Sequence, residues 1–387
     1  MHVVHAQHLN THQHAILIPI GEFNLIQQPQ YTPTTPKYNF PLPPQTLQIP
    51  QKFIEISLKT IKTPKQQTLQ LLQETESHEE EGEEEQNYFF PNYNHYSLQP
   101  IPLTPIKQET KIVATDVSSM KIGETNEGII CAIRGTIVWK QRNKYKYLRI
   151  GPFPLHITEE NKKEIHYLLR HHSLDTPTEP FHPSNLINIP MKLGNLLEHW
   201  IKTEISHASQ NSIILWDGSL TAGTPSNPLR AVSQALEMAR NHLNTILAFS
   251  KNTHLRFLNH QLTVQENLHS PYLLEINGFP TKTGPFSLLG NVYMTKLTQN
   301  GCSFRLDIDK EIPSEQRIQA VEKLLGNDTL YQSYPETLRL AHILSTFTAT
   351  EVIALQHFLA KKCRLKVLLR QNIRRLLFGP FGKGPEA

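Results

Sequence analysis

Two aspartates stand at the ends of apolar runs: Asp116 follows Ile112-Val113-Ala114-Thr115, and Asp217 follows Ile213-Ile214-Leu215-Trp216. Each precedes small or hydroxylated residues, Val117-Ser118-Ser119 in one case and Gly218-Ser219 in the other. Short apolar runs of this kind read as buried strands, and ligands sit at the carboxyl ends of strands in parallel α/β sheets. One such Asp is as often a turn or cap residue; two with matching flanks are harder to explain that way. Glu198 adds a third carboxylate. It lies beside the apolar stripe of Leu193, Leu197 and Ile201, which recur at helical spacing. Glu204, nearer the end of the same segment, competes for that role. Three carboxylates converging on one point repel unless cations lie between them. Two cations roughly 3.5–4 Å apart would stabilise the entering and leaving oxygens of a phosphodiester displacement.

Oxygen ligands suit Mg²⁺ or Mn²⁺, and a nearby imidazole tilts the choice towards Mn²⁺. His342 offers that nitrogen, at the end of Tyr334-Pro335-Glu336-Thr337-Leu338-Arg339-Leu340-Ala341-His342. Its bland alternative is a satisfied histidine on an apolar helix face. Lys251 closes Ala248-Phe249-Ser250-Lys251 and could meet a phosphate; its bland alternative is an exposed turn lysine.

The elements that must position these groups follow from periodicity. Strands are expected at 111–115, 127–140, 144–150, 212–216 and 243–250. Helices are expected at 158–172 with Thr158 as N-cap, at 190–208 with Pro190 in the first turn, and at 229–242. The β-α-β-α-β order argues for an α/β domain with parallel central strands. Further strands are expected at 271–276, 290–298 and 302–308, and helices at 314–325, 335–347 and 350–377.

The rest of the composition bounds the reading. The 387-residue chain has 28 prolines and a hydrophobic fraction of only 38%. Residues 1–109 are rich in Pro, hold most of the Gln and carry the acidic run Glu79–Glu85, and are expected to be low in complexity and largely disordered. A short helix lined by Phe53, Ile54, Ile56, Leu58 and Ile61 and ended by Pro64 is expected inside that region, with another at 66–74. Residues 110–387 read as the folded domain. Cys131, Cys302 and Cys363 have no metal-site spacing and suit a reducing, cytoplasmic setting. No run of about 18 apolar residues suggests a membrane span. The formal net charge is +4, and Lys361, Lys362, Arg364, Lys366, Arg370, Arg374 and Arg375 make the last thirty residues strongly basic, as suits a phosphate-backbone partner or a solvated helix face.

Taken in order, these residues resemble the NurA nuclease family. Trp216-Asp217-Gly218-Ser219-Leu220, Ser250-Lys251 and Tyr334-Pro335…Ala341-His342 match its pattern, whereas Val117 stands where the family usually has Gly. The resemblance covers about 111–360. It implies a ribonuclease-H-like core with a mixed central sheet flanked by helices. It implies Asp116, Glu198, Asp217 and His342 as ligands of Mn²⁺ or Mg²⁺, with Ser118, Ser219 and Lys251 supporting the site or holding phosphate. It further implies 5′-to-3′ exonuclease and single-strand endonuclease activity on DNA, a homodimer, and a HerA-type hexameric translocase as partner in DNA end resection for recombinational repair. Leu376, Leu377, Phe378 and Phe381 at the basic C-terminus form a candidate docking tip for that partner. The rival readings are another ribonuclease-H-like nuclease and a catalytically silent DNA-binding scaffold.

Overall fold

The computed structural model describes residues 48–62, 68–71, 99–172, 186–224, 227–251, 256–257, 260–261, 269–276, 281–284 and 286–369. The strands are β1 (Thr68–Leu71), β2 (Pro100–Pro102), β3 (Lys111–Glu124), β4 (Gly128–Gln141), β5 (Lys144–Thr158), β6 (Ser212–Asp217), β7 (Thr221–Ala222), β8 (Thr245–Ser250), β9 (Arg256–Phe257), β10 (His260–Gln261), β11 (Tyr272–Ile276), β12 (Lys282–Thr283), β13 (Phe286–Leu288), β14 (Gly290–Lys296), β15 (Phe304–Asp309), β16 (Leu330–Tyr331), β17 (Tyr334–Pro335) and β18 (Lys366–Leu369). The helices are α1 (Gln48–Ile61), α2 (Lys162–His172), α3 (Ile189–Ala208), α4 (Leu229–Asn241), α5 (Ser314–Asn327), α6 (Glu336–Ser345) and α7 (Ala349–Cys363).

One mixed sheet organises the chain. β5, β4 and β3 run antiparallel side by side, and β6 and β8 then add parallel to β3. That order, three antiparallel strands followed by two parallel ones, is the ribonuclease-H-like core. β15, β14, β11 and β2 extend it antiparallel beyond β8.

The alternation of side chains along β3 and β6 divides them between two packed layers. Val113, Val117, Ile214 and Trp216 join Leu193, Leu197 and Ile201 of α3 in one core, together with Phe53 of α1 and Val232 of α4. Ile112, Ala114, Ile213 and Leu215 face the other way, against Val321 and Leu324 of α5 and Leu338 and Ala341 of α6. The sheet is therefore flanked by helices on both sides, as the sequence predicts.

Several elements differ from expectation. Of the segment 66–74, the described residues Thr68–Leu71 are not helical. Leu69 is buried and Gln70 exposed, an alternation of period two, and Thr68–Leu71 is a strand paired parallel to β18 and touching β3 at Glu124. The last helix stops at Cys363, because Arg364 adopts a left-handed conformation with φ 52°. Lys366–Leu369 is then extended, with exposed Val367 and Leu368 on the β18 edge. Thr158 ends β5, and α2 begins only at Lys162; Thr158 and Asn161 exchange hydrogen bonds across the intervening turn. The expected helix near Phe53 is α1, whose Phe53 ring packs 5.4 Å from that of Phe153. So α1, β1 and β2, all ahead of residue 110, are built onto the sheet. The His-rich start, the Glu79–Glu85 run and the basic tip from Arg370 onwards lie outside the described residues.

The stretch Glu336–Cys363 is long enough to cross a membrane, with a mean hydropathy of 1.2 in its most apolar window. It is interrupted between α6 and α7, and its apolar residues Leu338, Ala341, Val352, Leu355 and Leu359 pack into the cores. Glu351 fixes this break. It closes a capping box with Thr348 and pairs with Arg134 at 3.0 Å and Arg149 at 3.4 Å. Arg134 is only 3% exposed and also stacks 4.2 Å from the Phe347 ring, so the α6–α7 corner is tied to β4.

A strap of residues 103–110 crosses α5. Ile106 N–H donates to the Glu322 carbonyl at 2.9 Å, and Asn327 donates to the carbonyls of Ile106 and Gln108. Gly326 makes this approach possible, since a Cβ there would stand 1.9 Å from the Ile106 oxygen. Replacing Gly326 with Ala gains about 1 kcal/mol of helix propensity. It also forces the strap away, an overpacking cost of about 1–3 kcal/mol with hydrogen bonds lost besides. Gly326→Ala is therefore expected to lower the urea midpoint of unfolding; a raised midpoint would show that the strap contributes nothing.

Candidate active site

The site arises where β6 stops and β3 continues. The two strands pair in parallel as far as Ala114 and Leu215. Two residues further, the same register brings Asp116 and Asp217 side by side on the face covered by α6. Asp116 is thus not at a strand end, as its sequence suggests. It lies inside β3, which stays paired to β4 through Asp116↔Thr136, and only its β6-facing edge opens there. Val117, the departure from the family pattern, faces the α3 core and lies within 4 Å of where Cβ atoms at Gly135 and Gly194 would stand.

The turn after Asp217 is built for its position. Gly218 has φ 106°, a conformation side chains disfavour. Its N–H extends the β6–β8 ladder by donating to the Phe249 carbonyl at 2.9 Å. Ser219 Oγ accepts from Thr221 N–H at 3.3 Å, a turn-stabilising contact. Leu220 N–H donates to Asp307 Oδ2 at 2.9 Å. Asp307 is itself clamped by Arg305 through two bonds of 2.8 and 2.7 Å, and both side chains are fully buried.

α6 completes the group. His342 Nδ1 lies 3.4 Å from Asp116 Oδ2, and Ser345 Oγ donates a short hydrogen bond to the same oxygen. Ser118 reaches the site through Ser345, at 3.1 Å between hydroxyls. Lys251 Nζ sits 2.6 Å from Asp217 Oδ2. Ligand atoms of Asp116, Asp217 and His342 all lie within 4.8 Å of one another. Asp217 is 23% exposed and His342 51%, so the group opens to solvent on the histidine side.

The electrostatics are those of anions crowded together. Burial pushes the Asp217 carboxyl above its ordinary range; Lys251 opposes this, Asp116 adds to it and His342 opposes it. The hydrogen bond to Asp116 holds the His342 imidazole above its usual value, against the effect of its burial.

Glu198 is placed differently. It pairs with Lys202 at 2.6 Å, and Lys202 Nζ lies 4.8 Å from the Trp216 ring. α3 packs on the Val117–Trp216 side of the sheet, whereas Asp116 and Asp217 belong to the α6 side. Among the described residues the three-ligand group contains Asp116, Asp217 and His342 and not Glu198. Glu204 is half-buried further along the same helix.

Sequence reasoning did not single out Ser345, Tyr334 as a site group, or the Arg305–Asp307 clamp. The clamp had a visible signal: Arg305, Asp307 and Asp309 alternate with Phe304, Leu306 and Ile308, placing three charges on one face of a core strand.

The fold and side chains define an α/β domain of ribonuclease-H-like topology carrying a carboxylate–carboxylate–histidine cluster at a strand end. Among solved structures, the chain is similar to the NurA nuclease from Sulfolobus solfataricus at 14% identity and a TM-score of 0.40, over 68% of this chain and 88% of that one. It is similar to NurA bound to dAMP and manganese at 10% identity and a TM-score of 0.33, over 72% and 92% respectively. Endonuclease V from Bacillus subtilis matches at 12% identity and a TM-score of 0.29, over 68% and 88%. No family model and no curated protein matches the sequence. Likenesses this distant leave the chemistry to be read from the side chains.

Proposed function

We propose that the protein is a metal-dependent DNA nuclease of the NurA kind. The observation that carries this reading is the convergence of Asp116, Asp217 and His342, whose ligand atoms lie within 4.8 Å of one another. Two carboxylates and an imidazole are a donor set that fits Mn²⁺, and Mg²⁺ less well. A bound divalent cation would offset the carboxylate repulsion and polarise a phosphodiester for attack. The chain's own residues do the rest. Asp116 is oriented by Ser345 and His342, Asp217 by the Gly218 turn, and Lys251 stands at the rim with an ammonium able to meet a phosphate oxygen. A second cation requires further oxygen ligands, from Glu198 released by Lys202 or from the substrate. In this reading the enzyme works in the cytoplasm on single strands and duplex ends with 5′-to-3′ polarity. It acts as a homodimer and receives DNA from a HerA-type translocase that docks on the basic C-terminus during end resection.

The test is cutting of end-labelled single- and double-stranded DNA with Mn²⁺, Mg²⁺ or EDTA. Cutting that requires the metal supports the reading, and the product ladder reports polarity. DNA binding without cutting under any metal, with and without a translocase partner, would instead make the chain a DNA-binding scaffold.

Lys251 gives a sharper expectation. Its ammonium occupies the Asp217 oxygen a cation needs, and a unit charge about 4 Å away costs an incoming divalent cation roughly 2 kcal/mol even in well-hydrated surroundings. Lys251→Met is expected to tighten Mn²⁺ binding about 30-fold while slowing DNA cutting. Calorimetry and the cleavage assay read the two effects separately; weaker Mn²⁺ binding in the variant would place the cation elsewhere.

A further inference from the structure

The open side of the ligand group carries an aromatic ring that belongs to none of the cores formed by the described residues. Tyr331 is 59% exposed. The Arg339 guanidinium stands 5.0 Å from its ring centroid and covers one face, which leaves the other turned to solvent. Arg339 is itself held in place. Its Nε donates to Glu336 Oε2 at 2.6 Å and its Nη2 to Glu336 Oε1 at 2.7 Å, a two-point grip that fixes the plane of the guanidinium.

Two elements bring this stack to the site. On the β16–β17 hairpin Tyr331 pairs directly with Tyr334, and directly opposed residues share a face. The Tyr334 hydroxyl donates to Asp217, and the Lys251 ammonium is 5.7 Å from the Tyr334 ring. On α6, Arg339 precedes His342 by three residues, about 4.5 Å along the axis and on the same helix face. The turn that holds Tyr331 outward is strained: Gln332 has φ 53° and Ser333 φ 70°, and neither is glycine. Contacts to the β14–β15 connection keep it so. Ser333 Oγ accepts from Thr298 N–H at 3.0 Å, and Cys302 N–H donates to the Gln332 carbonyl at 3.0 Å.

We infer that the Tyr331–Arg339 stack is a nucleobase platform, which takes an unpaired base of the DNA strand whose phosphate is held at Asp116, Asp217 and His342. The inference rests on the nuclease reading for the identity of the ligand. A base laid on the open face of Tyr331 extends the stack that Arg339 begins, and the guanidinium supplies positive charge beneath it. Every base has such a face, so the platform is tolerant of sequence. Within a duplex those faces are covered by neighbouring pairs. The platform therefore selects single strands, and a duplex end must fray before its base can be seated. Lys251 on one side of the cluster meets phosphate, and the stack on the other meets the base.

The test is binding of a short oligothymidylate, read by fluorescence anisotropy in EDTA so that no strand is cut. Tyr331→Ala is expected to weaken it about ten-fold. An abasic oligonucleotide of the same length keeps the phosphates and lacks the bases, and its affinity should stay within about two-fold of wild type, with the salt dependence unchanged because no phosphate contact is lost. Tyr331→Phe keeps the ring and should bind oligothymidylate as wild type does. Equal binding of oligothymidylate by Tyr331→Ala and wild type would overturn the assignment. So would an equal loss on the abasic strand, which would make Tyr331 a prop for a phosphate contact of Arg339, or a Phe variant as weak as Ala, which would make the hydroxyl the contact. The nuclease reading fails separately: if wild type cuts no DNA under any metal yet shows the base-dependent loss, the platform stands without it.

Discussion

Asp217→Asn is expected to reduce metal-dependent DNA cutting by about 10³-fold or more while leaving the protein folded. The substitution keeps the shape of the side chain and removes its charge. A cation at a displacement centre contributes several kcal/mol of charge stabilisation, and each 1.36 kcal/mol lost is about ten-fold in rate. Stability responds to different terms. The Asn is freed from the Asp116 carboxylate, whose charge helps push the Asp217 carboxyl upward. It also gives up the pair with Lys251, which is 41% exposed and belongs to a class worth about 0–1 kcal/mol. These contributions oppose one another, so the thermal midpoint should move by no more than a few degrees. Cutting assays across Mn²⁺ concentrations, beside a melting curve, separate the two. Activity near wild type in the variant would remove Asp217 from the chemistry; loss of activity with collapse of the fold would make it structural.

The second large effect is on stability and falls on a residue with no place in the ligand group. Asp307→Ala leaves the fully buried Arg305 guanidinium without its carboxylate and Leu220 N–H without its acceptor. Breaking one side of a buried pair costs about 3–5 kcal/mol, and the lost acceptor about another 1–3 kcal/mol. For a domain of this size that corresponds to a fall of roughly 10 °C or more in melting temperature. The Gly218–Leu220 turn loosens as well, so the remaining folded protein should cut more slowly at saturating Mn²⁺. Removing the guanidinium in addition, as Arg305→Leu with Asp307→Ala, should recover much of the stability, because buried ion pairs replaced by apolar side chains are often neutral. The turn should stay impaired in that double variant. If the single substitution were as stable as wild type, the clamp would not hold the turn.

The two expected effects share one piece of architecture: Asp217 is presented where its strand ends and β3 runs on, and that ending is held from the opposite face by Asp307. The motif Asp217-Gly218-Ser219-Leu220 carries both roles in adjacent positions, with the carboxylate facing α6 and the Leu220 amide facing the clamp.

Much of this was legible in the residues alone, where the causes are local. The apolar runs Ile112–Thr115 and Ile213–Trp216 marked buried strands, and helical spacing set the buried stripe of α3. What the sequence could not decide was non-local. Asp116 looks terminal in sequence because the apolar run stops at it and the hydroxylated pair Ser118-Ser119 follows, yet pairing with β4 carries β3 on to Glu124. Glu198 sits beside an apolar stripe, but a sheet has two faces and a helix stripe does not say which it will cover; packing put α3 on the Trp216 side, where Lys202 neutralises it. Thr68–Leu71 is a strand because β18, from the far end of the described chain, offers an edge to pair with. His342, Ser345 and Tyr334 reach Asp116 and Asp217 only through the register of strands and the seating of α6. That convergence depends on contacts between segments distant in sequence, whereas periodicity reports only the few residues around each position.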